Sequence, residues 1–173
     1  MVSPSTSDPF GLLGLPPRFD VDPATLERAF FERSKEVHAD KFATAPAAER
    51  VAALSRSRAL NDAYQLLRRE ASRAEYLLAR AGVTIGANER VDPSLLMEFL
   101  EERERLSEAR VAGRLAEVEE LQTKMRARRA EAMARVRADF AAEAPKLDDI
   151  KQQLILLRYV DRYLDECDAA LDD

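Results

Sequence analysis

The sequence predicts an all-α protein, and three observations carry that reading. Charged residues make up 34% of the 173, glycine is scarce with five, tryptophan is absent, and Ala, Leu, Glu and Arg, all strong helix formers, are abundant. Apolar residues recur at helical spacing through several long blocks. Asp-Pro pairs at 8–9, 22–23 and 92–93 each place an N-cap before proline at the first helical position, a start signal for a helix.

The elements follow in chain order. Asp8-Pro9-Phe10 opens a short apolar turn that ends near Gly14, and Pro16-Pro17 stops it. Asp22-Pro23 opens a second helix, with Leu26, Phe30 and Val37 on one face up to His38. Residues 39–46 form a loop closed by Pro46. Val51, Leu54 and the Leu60/Tyr64/Leu67 stripe then describe a long third helix, and antiparallel packing of the two long helices exposes the loop at one tip. A shorter helix from about Ser72 to Ala81 carries Ala74, Leu77 and Leu78 and stops at Gly82. Residues 82–91 have no usable period and read as a linker. Three further helices, about 93–110, 112–143 and 148–171, are broken at Gly113 and Pro145 and fold back as an antiparallel three-helix bundle. The domains are therefore residues 8–81, a linker over 82–91, and a bundle over 92–173.

Composition excludes several classes. One cysteine, Cys167, and one histidine, His38, make neither an internal disulfide nor a four-ligand zinc site, so no metal or cofactor is expected. The segment Met1 to Asp8 has no basic region or apolar run, and no stretch approaches the roughly 20 apolar residues that span a bilayer, so a soluble, cytoplasmic protein is expected. The net charge of −5 is uneven. Residues 1–81 carry 12 Lys+Arg against 11 Asp+Glu, and residues 82–173 carry 15 against 21, so the acidity belongs to the second half. Such a surface disfavours nucleic acid and anionic membrane. Arginines 126, 128, 129, 135 and 137 share their helix with Glu117, Glu119, Glu120, Glu131 and Asp139, without an aromatic platform, which reads as a solvated face.

Three blocks arrive in one order: His38-Ala39-Asp40-Lys41-Phe42, Asn61-Asp62-Ala63-Tyr64-Gln65-Leu66-Leu67, and Arg73-Ala74-Glu75-Tyr76-Leu77-Leu78. That order resembles a J-domain. Lys41-Phe42 after the loop, the Arg-Ala-Glu-Tyr-Leu-Leu block and the acidic helical tail are similar, more narrowly, to the HscB family of iron–sulfur co-chaperones. The resemblance covers roughly residues 8–172, most strongly in the first domain and at 95–106. It implies a J-domain followed by a bundle, no enzymatic activity, and two partners: an HscA/DnaK-class ATPase chaperone and an IscU-type iron–sulfur scaffold. The assembly is expected to be monomeric or weakly self-associating.

By the same resemblance His38, Ala39, Asp40 and Lys41 form the chaperone-docking loop, with Asp40 suited to pair with a partner arginine and Arg28 and Lys35 on the preceding helix adding positive charge. Two departures stand in this region. Ala39 replaces the proline of the His-Pro-Asp signature, losing a fixed φ worth about 0.4–1 kcal/mol of preordering; the alternative is a scaffold-binding module whose loop Ala39 disables. Arg28, Arg33 and Lys35 are also matched by Glu27, Glu32 and Glu36, a self-paired face. Asn61, Tyr64, Arg73 and Tyr76 read as structural.

On the first bundle helix, Leu95, Phe99, Glu102 and Leu106 cluster on one inward stripe at 100° per residue. Leu96 and Leu100 stand aside from it as an apolar ridge, and Met97, Glu101, Glu104 and Glu108 lie beyond. On the last helix Gln153, Leu157, Val160, Leu164 and Cys167 mark the inner face, and Ile155 and Tyr159 are placed to extend the ridge. An apolar strip edged by one sign of charge suits a protein partner. The resemblance assigns scaffold binding to Leu96, Met97, Leu100, Glu101, Glu104, Glu108 and Tyr159.

Overall fold

The computed structural model describes residues 8–87, 89 and 91–172. The expectations placed on Met1–Ser7, on Asn88 in the linker and on Asp173 as the end of the bundle lie outside the described residues. Those described form seven α-helices and one 3₁₀ turn, with no strand among them: α1 Pro9–Leu13, α2 Pro23–Glu36, the turn Ala39–Phe42, α3 Ala47–Arg68, α4 Glu70–Arg80, α5 Pro93–Val111, α6 Leu115–Ala141 and α7 Leu147–Asp172. The all-α class holds, as a J-domain followed by a three-helix bundle. The chain divides into two compact units at Leu77/Leu78, inside α4.

All three Asp-Pro signals start helices. Asp8 accepts from the Phe10 N–H at 3.3 Å, Asp22 from Thr25 at 2.9 Å and Asp92 from Ser94 at 2.8 Å, each satisfying an N–H that has no partner within its helix. At the other ends, Gly82 (φ 86°) closes α4 by donating to the Ala79 carbonyl while Val83 donates to Leu78, and Gly113 (φ 65°) makes the α5–α6 turn.

In the first unit α2 and α3 form the hairpin, α1 packs against both, and Phe10 and Leu13 of α1, Val21, Leu26 of α2 and Leu60 and Leu67 of α3 make the core. Phe30 and Tyr64 stack across it with centroids 4.4 Å apart. Arg73, buried, donates to the Leu67 carbonyl at 2.6 Å and so caps the end of α3, with its guanidinium over the Phe19 ring. Burial lowers its pKa from the usual value. Tyr76 donates its hydroxyl to Asp8 at 2.7 Å, so one carboxylate both caps α1 and anchors α4. Asn61 donates to the Ser57 carbonyl one turn earlier. These four residues thus do structural work, as read from the sequence.

The long third helix is present as read, and its inward line is now defined. Val51 and Leu54 are exposed, and Ala53 takes the inward position. The inward stripe is Ala53, Leu60, Ala63 and Leu67, and on a helix of 100° per residue Val51 and Leu54 lie well off that line. The expected loop after α2 is also more ordered than a bare connection, since it contains the 3₁₀ turn.

In the second unit α6 and α7 pack along their length, and α5 lies against both. Phe99, Leu106, Val118, Leu121, Met125, Val160 and Tyr163 lead the core. Helix α6 is shorter at both ends than the span 112–143. Tyr163 donates to the Glu102 carbonyl at 3.1 Å, which ties α7 to α5, and burial pushes its phenol pKa up. Cys167 is fully buried, and burial pushes its thiol up to about 11. Glu102 turns inward as its spacing required and is paired with Lys124 of α6.

Candidate functional sites on each unit

The turn after α2 begins with His38, whose backbone (φ −62°, ψ 135°) leaves the helix for the extended region. Its Nδ1 accepts from the Asp40 N–H at 3.4 Å and lies 3.4 Å from the Asp40 carboxylate. With Nδ1 an acceptor, a neutral ring keeps its proton on Nε2 and offers an outward donor. The side chain of Asp40 is 90% exposed, that of His38 is largely so, and Lys41 is exposed as well. A donor, an acceptor and a cation therefore stand together at the hairpin tip. Position 39 heads the turn.

The two α2 residues assigned to the same surface differ. Lys35 is drawn onto Glu32 at 2.8 Å and lies over the Phe31 ring, and Arg33 pairs with Glu36 at 3.5 Å. The self-paired reading of this face therefore holds for Arg33 and Lys35. Arg28 makes no ion pair among the described residues, although it lies near enough to help lower the Asp22 pKa, which its bonds from Thr25 chiefly depress.

On the second unit the ridge is exposed: Leu96 at 42%, Leu100 at 50% and Met97 at 57%. Tyr159 is half-buried and packs against the buried Phe99 with the rings tilted by 40° and centroids 5.5 Å apart, beside Leu96 and Leu100. Ile155 does not extend this ridge. It is buried, 3% exposed, so it offers no surface to a partner.

The carboxylates of α5 separate into two groups. Glu98 takes two bonds from Arg128, at 2.6 and 3.0 Å, which hold its pKa below the usual range, and Glu102 pairs with Lys124. Glu101, Glu104 and Glu108 are exposed and, among the described residues, have no ion-pair partner. All three belong to the acidic row read from helical spacing. The arginines of α6 are turned to other uses: Arg129 pairs with Asp161 at 2.6 Å, Arg126 with Asp168 at 3.8 Å and Arg135 with Glu131 at 3.4 Å.

Two features gave no sequence signal that was used. The segment read as a linker is fastened to α7, where Arg158 donates to the Gly86 carbonyl at 3.0 Å and Lys151 meets Glu89 at 2.8 Å. A bond from Lys151 is the main cause of the lowered pKa of Glu89. Between α5 and α7 runs a groove with Leu96, Leu100 and Tyr159 at one end and Arg103, Arg162 and Glu166 at the other. Arg162 follows Tyr159 by three residues, so helical spacing could have found it. Among the described residues no three His, Cys, Asp or Glu side chains gather as a metal site, and no helix is long and apolar enough to cross a membrane.

A helical hairpin tipped by a His-X-Asp turn, in one chain with a three-helix bundle, defines the class of J-domain proteins that carry a second helical unit. Residues 91–168 match the family model described as the HSCB C-terminal oligomerisation domain. The co-chaperone protein HscB homolog of Azoarcus sp. (strain BH72) is 34% identical over 170 residues, covering 96% of each chain. Among solved structures, chaperone HscB from Vibrio cholerae superposes with a TM-score of 0.81 at 31% identity, over 95% of this chain and 98% of that one. Human co-chaperone protein HscB gives 0.84 at 26% identity, over 97% and 83%. The chain belongs to the HscB co-chaperone family.

Proposed function

We propose that this protein delivers an IscU-type iron–sulfur scaffold to an HscA/DnaK-class ATPase chaperone in the cytoplasm and stimulates ATP hydrolysis there. The bundle holds the scaffold through Leu96, Met97, Leu100, Glu101, Glu104, Glu108 and Tyr159. The turn His38, Ala39, Asp40 and Lys41, with Arg28 and Lys35 behind it, engages the chaperone. The chain does no covalent chemistry of its own in this reading. It acts by binding the hydrolysing state of the chaperone more tightly than the resting one, which is the only way a ligand can bias such an equilibrium.

The observation that carries the reading is the division of the α5 carboxylates. Among the described residues Glu101, Glu104 and Glu108 have no ion-pair partner, whereas Glu98 and Glu102 on the same helix are neutralised from α6. Unpaired charge bordering exposed apolar surface is suited to a partner that supplies both burial and basic groups. Steady-state ATPase assays of the chaperone, with scaffold and this protein added in turn, test it. Turnover should rise when both are present, and Asp40→Asn should abolish the rise. No rise with the unaltered protein overturns the delivery reading.

Ala39 supports a second reading, in which the chain binds scaffold but its turn no longer stimulates the chaperone. It predicts intact scaffold binding, unchanged ATPase, and stimulation only in Ala39→Pro.

A further inference from the structure

The groove between α5 and α7 is graded along its length. Its apolar end, formed by Leu96, Leu100 and Tyr159, is the ridge already assigned to the scaffold. About one helical turn further along lie Arg103 and Arg162, and Glu166 lies about one turn beyond Arg162. Arg103 and Glu166 satisfy one another in two bonds, Nε to Oε2 at 3.0 Å and Nη2 to Oε1 at 2.7 Å, a fork geometry that neutralises both and holds them in place. Arg162 is exposed and, among the described residues, no carboxylate lies within ion-pair distance of it. One cation is therefore left over at the mouth of the groove, on a surface whose other unpaired charges, Glu101, Glu104 and Glu108, are all negative.

We infer that the groove takes a segment of the scaffold in which an apolar side chain is followed by a carboxylate, the apolar group entering beside Leu96, Leu100 and Tyr159 and the carboxylate meeting Arg162. This rests on the scaffold-binding reading of the ridge and sharpens it: the partner carries basic groups toward α5 and an acidic one toward α7. Two physical points favour this occupant. The guanidinium is planar, always charged and weakly hydrated, which suits it to a carboxylate at a partly desolvated edge. The locked Arg103–Glu166 pair beside it leaves Arg162 as the unneutralised donor of that end of the groove, so an acidic group placed there meets attraction without first breaking an internal pair. The graded lining also favours one orientation, because a reversed segment would carry its carboxylate to the apolar end beside Leu96, Leu100 and Tyr159, away from Arg162.

The two electrostatic possibilities predict opposite signs for one substitution. If the partner is basic all along this face, removing Arg162 removes repulsion and tightens binding. If Arg162 meets a carboxylate, its removal weakens binding. The experiment is a calorimetric titration of an IscU-type scaffold into the full chain, comparing wild type, Arg162→Gln, Arg162→Lys and the ridge variant Leu96→Ala/Leu100→Ala at low and high salt. The expected result is a Kd about tenfold weaker for Arg162→Gln, partly recovered in Arg162→Lys, with the difference shrinking at high salt. Equal or tighter binding by Arg162→Gln overturns the inference while leaving the ridge reading intact, provided that Leu96→Ala/Leu100→Ala still weakens binding. Loss of effect from the ridge variant overturns the underlying reading instead. Circular dichroism melts of each variant separate loss of binding from loss of fold.

Discussion

Truncating the ridge leucines separates a partner surface from a core, because the two roles differ in which measurement moves. Leu96 and Leu100 are 42% and 50% exposed, so about half of each side chain is left for a partner to cover. Full burial of a leucine is worth about 1.5–3 kcal/mol, so a partner gains about 0.8–1.5 kcal/mol from each, or about fourfold to twelvefold in Kd. Leu96→Ala/Leu100→Ala should then weaken scaffold binding by about 15- to 150-fold if the two contributions add. Folding stability should fall by only about 1 kcal/mol per leucine, from the half already covered. Leu157, 1% exposed on α7, supplies the contrast: Leu157→Ala should cost about 3–5 kcal/mol of stability. Isothermal titration with scaffold and urea denaturation of the same samples give both numbers. A double variant as destabilised as Leu157→Ala, with a Kd unchanged within about twofold, refutes the assignment of the ridge to binding.

Three further outcomes can be checked on the isolated protein or with the chaperone. Asp40→Asn should leave the melting temperature within about a degree of wild type, since its side chain is 90% exposed, while removing chaperone stimulation in the ATPase assay. Asp8→Ala removes both the α1 cap and the acceptor of the Tyr76 hydroxyl, and should cost about 1–3 kcal/mol in urea denaturation, of which Tyr76→Phe reproduces only part. Glu98 has a folded pKa depressed by the Arg128 bonds, so its contribution to stability is present above its ordinary value of 4.5 and is lost as pH falls through the lower folded value; Glu98→Gln should flatten that part of the acid-denaturation curve.

Helix starts and the inward faces were legible in the sequence because their causes are local. Asp-Pro pairs act within three residues, and the stripe through Phe99, Glu102 and Leu106 follows from helical geometry alone. The ridge was legible for the same reason, since Leu96 and Leu100 stand off that stripe. The burial of Ile155 was not, because it depends on what the rest of the chain lays over that face of α7, and no periodicity within α7 encodes that. Val51 and Leu54 lie on the third helix as read, but off the Ala53/Leu60/Leu67 line, so little of the first unit covers them. The fastening of Gly86 and Glu89 to α7 was hidden because Lys151 and Arg158 lie more than 60 residues away, and ion pairs at that separation leave no spacing signal. The resemblance supplied the residues proposed for both sites, but the division of the α5 acids into paired and unpaired groups depends on which α6 cations reach them, which spacing within α5 does not encode.

The backbone at the hairpin tip makes the Ala39→Pro experiment sharper than a sequence comparison alone. A residue before proline is driven from the α region toward ψ of about 120–160°, and His38 already sits at φ −62°, ψ 135°. Position 39 is the first residue of the 3₁₀ turn, where an N–H is not required within the turn and a φ near −65° is favourable. Proline should therefore enter without strain and stabilise the fold by about 0.4–1 kcal/mol through the unfolded chain. Whatever part of that ordering the free turn still lacks is gained on docking instead, so chaperone binding should tighten by at most about twofold to fivefold. If Ala39 merely loosens the turn, wild type stimulates ATPase and Ala39→Pro shifts the half-maximal concentration down by that factor, with the same plateau. If Ala39 disables the turn, wild type gives no plateau at any concentration and the variant creates one. A variant that melts lower than wild type refutes the geometric premise, since it means that the extended backbone at His38 does not accommodate the ring at position 39.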